Sequence, residues 1–330
     1  MANYGAFQHA KIQMGRESTM GTGVAATTIW RGAFANIEDA REREIVDEQI
    51  GVLITGERSY DKSYLAKLSM PATPLTFEQV LHILEAGVKT VSPTGAGPYT
   101  YTYTMPTGNT VNTVKSYTIE AYNVQVTGDY REMDYSLVEE FTFDAKAGES
   151  WMMSANWFGR GPKTGTATTL STILAVEEAL LTKTKLYIDA SGGTVGTTQK
   201  TGVLMGASMK VKTGLVQVPV GDGTLYFAAH KFVKPEITFS LTLELEDGGV
   251  VAAERTAYEA KSTRLLQLTC DGSSANRQFV LKWAGVYDKF GQYSNSNGNT
   301  TVTVDGHGVY SSTDALIWEM AVKNNVASIP

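Results

Sequence analysis

Apolar and polar residues alternate without interruption from Glu236 to Glu246. Ile237, Phe239, Leu241, Leu243 and Leu245 fall on one side, and Glu236, Thr238, Ser240, Thr242, Glu244 and Glu246 on the other. Successive strand side chains point to opposite faces, so this stretch predicts a long strand with one dry face and one wet or partnered face. The same period recurs at 99–104, where Tyr99, Tyr101 and Tyr103 alternate with threonines. It returns at 63–70, 117–121, 137–143, 151–158, 184–189, 203–212, 265–270, 279–287, 300–304 and 316–322.

Helical spacing interrupts this pattern. Thr76-Phe-Glu-Gln79 has the form of a capping box. Phe77, Val80, Leu81 and Leu84 follow it and Gly87 closes it, which predicts a helix over 76–86. Gly248-Gly249 opens a second helix, over 250–261, and a short third one is expected near Ile173–Leu181. Gly159–Thr169 reads as a linker by composition and Gly214–Lys234 as a turn-rich excursion. Each half therefore runs strand, helix, four strands, at an offset of about 165 to 175 residues, which predicts an internal duplication. On this reading Trp151–Ala155 lines up with Trp318–Val322. The predicted class is mainly β: two tandem antiparallel units of sandwich or half-barrel type, each flanked by a short helix. The first unit with an N-terminal arm spans 1–160, a linker and short helix 161–183, and the second unit 184–330.

Charge and chemistry narrow the function. The 330 residues are 42% hydrophobic, enough for real cores, and carry a net charge of −6. Gripping phosphates needs a basic surface, whereas an acidic one lets nucleic acid pass without sticking. His9, His82, His230 and His307 stand outside metal-ligand spacing of one another and of Cys270, so neither a metal nor a cofactor is expected. His82 reads as a packing or surface residue, and Cys270 as a small buried hydrophobe. Asp305-Gly-His307 could pair an acid with a base, but Asp-Gly is first a turn signal. The adjacent Glu139-Glu140 and Glu177-Glu178 cannot face each other as a catalytic pair. Pro162 stands where a phosphate loop needs a glycine before its lysine. The tyrosine stripe at 99–103 suits cross-strand packing. Neither an export leader nor a membrane-length apolar run is apparent. The chain reads as a building block, not an enzyme.

Leu186-Tyr-Ile-Asp189, Val195–Gln199, Val203–Gly214, Gly221-Asp-Gly-Thr224 and the long strand after them resemble the tail tube proteins of long-tailed bacteriophages. Met14-Gly-Arg-Glu-Ser18 followed by Gly21–Ala25 is similar to the N-terminal segment of that family. The resemblance implies packed antiparallel sheets flanked by a helix, in rings whose inner sheets join into one β-barrel. The rings stack into a tube in the virion tail that conducts DNA, built from subunits made in the host cytoplasm. Many members carry one such fold per chain in hexameric rings. This chain departs from them by carrying two, so three copies would make a ring of pseudo-sixfold appearance. The implied partners are further copies of the chain, the tape measure protein, and the tail terminator and distal tail proteins, with viral DNA in transient passage. The wet face of 236–246 is then the candidate lumen lining. Gly214–Lys234, with Leu225, Tyr226, Phe227 and Phe232, is too long and apolar for a solvated loop and is expected to reach a neighbouring copy. A capsid or decoration subunit, or a β-sandwich ligand-binding module, is the alternative reading.

Overall fold

The computed structural model describes residues 5–51, 53, 58–126, 128–170, 172–247, 249–296 and 298–330. The first half contains β1 (Ala10–Arg16), β2 (Thr28–Ile29), β3 (Glu38–Asp39), β4 (Glu42–Ile45), β5 (Ser59–Ser63), β6 (Ala66–Pro74) and α1 (Val80–Gly87). It continues with β7 (Tyr99–Thr104), β8 (Tyr117–Asn123), β9 (Arg131–Lys146) and β10 (Met152–Lys163). The second half contains β11 (Thr184–Ala190), β12 (Gln199–Lys200), β13 (Leu204–Lys212), β14 (Leu215–Val218), β15 (Ala229–Phe232) and β16 (Glu236–Glu244). After these come α2 (Val250–Glu259), β17 (Arg264–Asp271), β18 (Gln278–Ser296), β19 (Asn299–Gly308) and β20 (Trp318–Asn324).

The class is mainly β and the pairing between these strands is antiparallel, as the alternation predicts. In the first half the strands lie in the order β2-β1-β8-β9-β10-β6-β3, and in the second in the order β12-β11-β17-β18-β19-β16-β13. The two runs meet where β13 pairs with β9, from Gly206 opposite Lys146 to Lys212 opposite Glu140. They meet again where β20 pairs with β7, Met320 opposite Tyr103. One apolar core contains residues of both halves: Phe77 packs on Phe279, Trp151 on Phe279 and Phe141 on Trp318.

Four sequence expectations are corrected. The helix near 173–181 does not form. Ala179 instead donates its N–H to Leu75 O and accepts one from Trp151 N, so this stretch fills a gap between extended segments and ends in a 3-10 turn at Leu181–Lys183. The linker over 159–169 begins late, because β10 continues to Lys163. The tail of the alternating stretch leaves the sheet after Glu244. Leu245 is exposed, and Glu246 turns to accept the Val250 N–H at the start of α2. Trp151 and Trp318 do not hold matching places. By strand order β10 corresponds to β19, while β20 lies against β18 and β7. Gly248 lies outside the described residues.

Only half of the expected capping box forms: Thr76 Oγ1 accepts the Gln79 N–H at 3.2 Å, while Gln79 Oε1 is buried without a hydrogen-bond partner among the described residues, and α1 begins at Val80, later than the spacing predicts. Gly87 serves close packing, since a Cβ there would sit 3.1 Å from the Val138 side chain. Each helix carries one fully buried glutamate. Glu85 on α1 receives Arg16 Nε at 2.8 Å and Tyr117 Oη at 2.8 Å. Glu254 on α2 receives Arg264 Nη2 at 2.7 Å and Tyr287 Oη at 2.9 Å. Burial, and then the carboxylate beside it, pushes the Tyr287 phenol well above its ordinary value.

His82 is buried next to the first of these clusters, its Nδ1 3.3 Å from Tyr117 Oη. Burial, aided by the Arg16 charge, lowers its pKa from 6.5 to about 4. The unfolded chain therefore takes this proton first as pH falls. The contribution of neutral His82 is complete above pH 6.5 and is lost as pH falls towards 4. Denaturant titrations over that window are expected to show a loss on the order of 3 kcal/mol that His82→Gln removes. A pH dependence unchanged in His82→Gln would refute this.

Candidate assembly surfaces

Strands β19, β16, β13, β9 and β10 run side by side and leave one face of their sheet polar. Asp305, Ser240, Ser208 and Asp144 form one row across it. His307, Thr238, Lys210, Thr142 and Ser154 form the next, and Glu236, Lys212, Glu140 and Asn156 a third. The opposite face carries Val304, Leu241, Met209, Phe143 and their neighbours into the core. The alternation places Glu236 and Thr238 exposed, and Ser240, Thr242 and Glu244 half-buried, all on the polar side. Glu246 is not on the strand.

Charges on this face are mixed. Lys210 Nζ lies 2.9 Å from Glu140 and Lys212 Nζ 2.8 Å from Glu236, each across a strand pair. His307 Nδ1 lies 2.7 Å from Asp288. Glu140, Asp144, Glu236, Glu244, Asp288 and Asp305 outnumber Lys146, Lys210, Lys212 and Lys289, so the face is slightly acidic and rich in hydroxyls. Asp305-Gly306-His307 forms no turn, contrary to its sequence signal. It lies inside β19, held on both sides by β16 and β18.

The Gly214–Lys234 excursion is a hairpin of β14 and β15. It folds back on the first half and closes a second apolar core with Val114, Tyr135, Leu137 and Phe158. Phe227 is buried there, its ring 5.1 Å from Tyr135 and 5.8 Å from Phe158. Arg160 Nε donates to Phe227 O at 2.8 Å. Phe232 packs at the border of this core and Tyr226 against Tyr64. Leu225 is exposed, as is Val220 at the tip. Of the four residues expected to face a neighbour, the fold thus keeps Phe227 for itself.

Glu17 is a positioning residue that its place in the Met14–Ser18 motif does not by itself reveal. Its buried carboxylate accepts the backbone N–H groups of Gly21 and Tyr135, both at 2.8 Å, and the Thr118 hydroxyl at 3.0 Å. Tyr135 has φ 50°, a left-handed conformation that a tyrosine rarely adopts, and Glu17 ties it down beneath the hairpin. The preceding Gly15 is required, because a Cβ would lie 2.4 Å from Ala25 O.

The remaining candidates are placed in the interior or apart. Tyr101 and Tyr103 are buried in the core. The Cys270 thiol is buried, which raises its pKa. Among the described residues no three His, Cys, Asp or Glu side chains group as metal ligands. No described helix is long and apolar enough to cross a membrane. A family model described as phage tail tube protein matches residues 8–312. No curated protein matches the chain.

Proposed function

Because the chain belongs to the phage tail tube protein family, we propose that its two strand runs are copies of one fold and that three chains close into a ring of six such units. The rings stack into a hollow tube that delivers DNA, and its ends meet the tape measure, terminator and distal tail proteins. The carrying observation is the polar face that crosses both halves on one continuous sheet. A barrel built from such sheets removes the open edges that make long strands stick. Lined mainly by Thr238, Ser240 and Thr242, with carboxylates outnumbering lysines, it gives DNA little to hold.

Negative-stain images of the concentrated protein, alone and with tail-initiating partners, test this reading. Hollow tubes with threefold or pseudo-sixfold end views are expected. Shells, persistent monomers or a true sixfold ring of whole chains would overturn it.

The lining makes its own prediction. Glu236→Lys with Glu244→Lys leaves assembly intact, but the tubes retain duplex DNA at physiological salt where wild-type tubes do not. Each phosphate that a new lysine neutralises steepens the salt dependence by about one unit of log–log slope. Tight DNA binding by wild-type tubes would sink the assignment of this face.

A further inference from the structure

The joint between the halves is a template for a joint between chains. Within the chain, β8 leaves one side of β9 after Ser136, and β13 takes that side from Glu140 onward. In the second half, β17 leaves β18 after Gly285, and among the described residues no strand takes its place. The edge from Lys289 to Asn295 is therefore open, with Gln292 and Tyr293 exposed. The missing partner has a counterpart at the other end of the sheet. By strand order β3 corresponds to β13. It pairs with β6 alone and is two residues long, whereas β13, held on both sides, is nine.

Bulges fix the correspondence. The β9–β10 ladder slips just after Val138 opposite Trp157, and the β18–β19 ladder just after Tyr287 opposite Gly306. Val138 lies against α1 and Tyr287 bonds to α2, so two independent landmarks agree. Glu140 then matches Lys289, and Phe141 matches Phe290. On the other side Trp157 faces Leu68, and Gly306 faces Phe239. Counting from there, Glu38 opposite Lys67 matches Lys210 opposite Thr238, and buried Ile37 matches buried Met209.

The ion pair at the internal joint is Lys210 with Glu140. Its counterparts are Glu38 and Lys289, the same pair with the charges exchanged. Both are exposed, and among the described residues neither has an ion-pair partner.

We propose that the 34–40 segment of one copy of this chain adds antiparallel to the open β18 edge of the next. Glu38 then meets Lys289, and the exchanged charges dictate which edges join. This rests on the ring reading and specifies its contact. A wrong joint would set Lys210 of one copy against Lys289 of another, or Glu38 against Glu140. In both, like charges would lie diagonally across the strand pair, where Lys210 and Glu140 now lie as opposite charges, and this disfavours the wrong joint.

The test compares Glu38→Lys, Lys289→Glu and the double exchange, with thermal unfolding as a check on folding. Each single variant is expected to keep its melting temperature and lose roughly tenfold or more of its tube yield. The double exchange recovers it. Zero-length carbodiimide coupling of wild-type tubes is expected to link Glu38 to Lys289 between chains. Single variants that assemble like wild type, or tubes with no such link, would overturn the contact and leave the ring reading standing. Wild-type chains that never assemble would overturn both.

Discussion

Glu254→Ala is expected to lower the unfolding free energy by about 3–5 kcal/mol. The carboxylate is buried and holds both the Arg264 guanidinium and the Tyr287 hydroxyl. Arg264 keeps only 16% of its side-chain surface in water. Removing Glu254 therefore strands a charge and a phenol in the interior, and this stranding, more than the worth of the pair itself, sets the size of the loss. Glu85→Ala should behave alike, because Arg16 and Tyr117 converge on it in the same manner. Replacing Glu254 and Arg264 together by leucine and methionine should recover much of the loss. Urea unfolding with single and double variants checks this. A loss under about 1 kcal/mol for either alanine variant, the range of a surface pair, would refute it.

Phe227→Ala and Leu225→Ser should separate folding from assembly. Phe227 is the centre of the second core, tilted against Tyr135, edge-on to Phe158 and covered by Arg160. Its truncation should cost about 3–5 kcal/mol and free the hairpin from the first half. Leu225, two residues earlier, is 40% exposed, so Leu225→Ser should change stability by no more than about 0.5 kcal/mol. If the hairpin tip meets a neighbouring copy, Leu225→Ser reduces tube yield while the monomer melts normally. Shortening the tip over 219–224 should do the same, since none of these residues belongs to the second core. Normal tubes from both tip variants would remove the hairpin from the assembly contacts.

Most strands and both helices are legible in the sequence, because alternation, helical spacing and the Thr76 cap are local properties of the chain. The polar face of β16 is legible for the same reason. Its end is not: Leu245 and Glu246 keep the alternating pattern, and only the demand of α2 for a carboxylate at its first N–H pulls Glu246 off the strand. The segment around Ala179 has helix-forming residues, yet two hydrogen bonds to Leu75 and Trp151, distant in sequence, outweigh that preference.

Side-chain alternation alone carries the class and the location of the wet strand face. The tertiary structure alone decided which strands pair. It seated Phe227 inside, put β10 and β19 at the same position in the two strand orders where the tryptophan motif pointed to β20, and joined β9 to β13, whereas among the described residues no strand takes the equivalent edge of β18. The physical reason is range. Side-chain period is written residue by residue, whereas a strand's partner is chosen by core shape, bulges and charge across separations of a hundred residues or so, which no local pattern records.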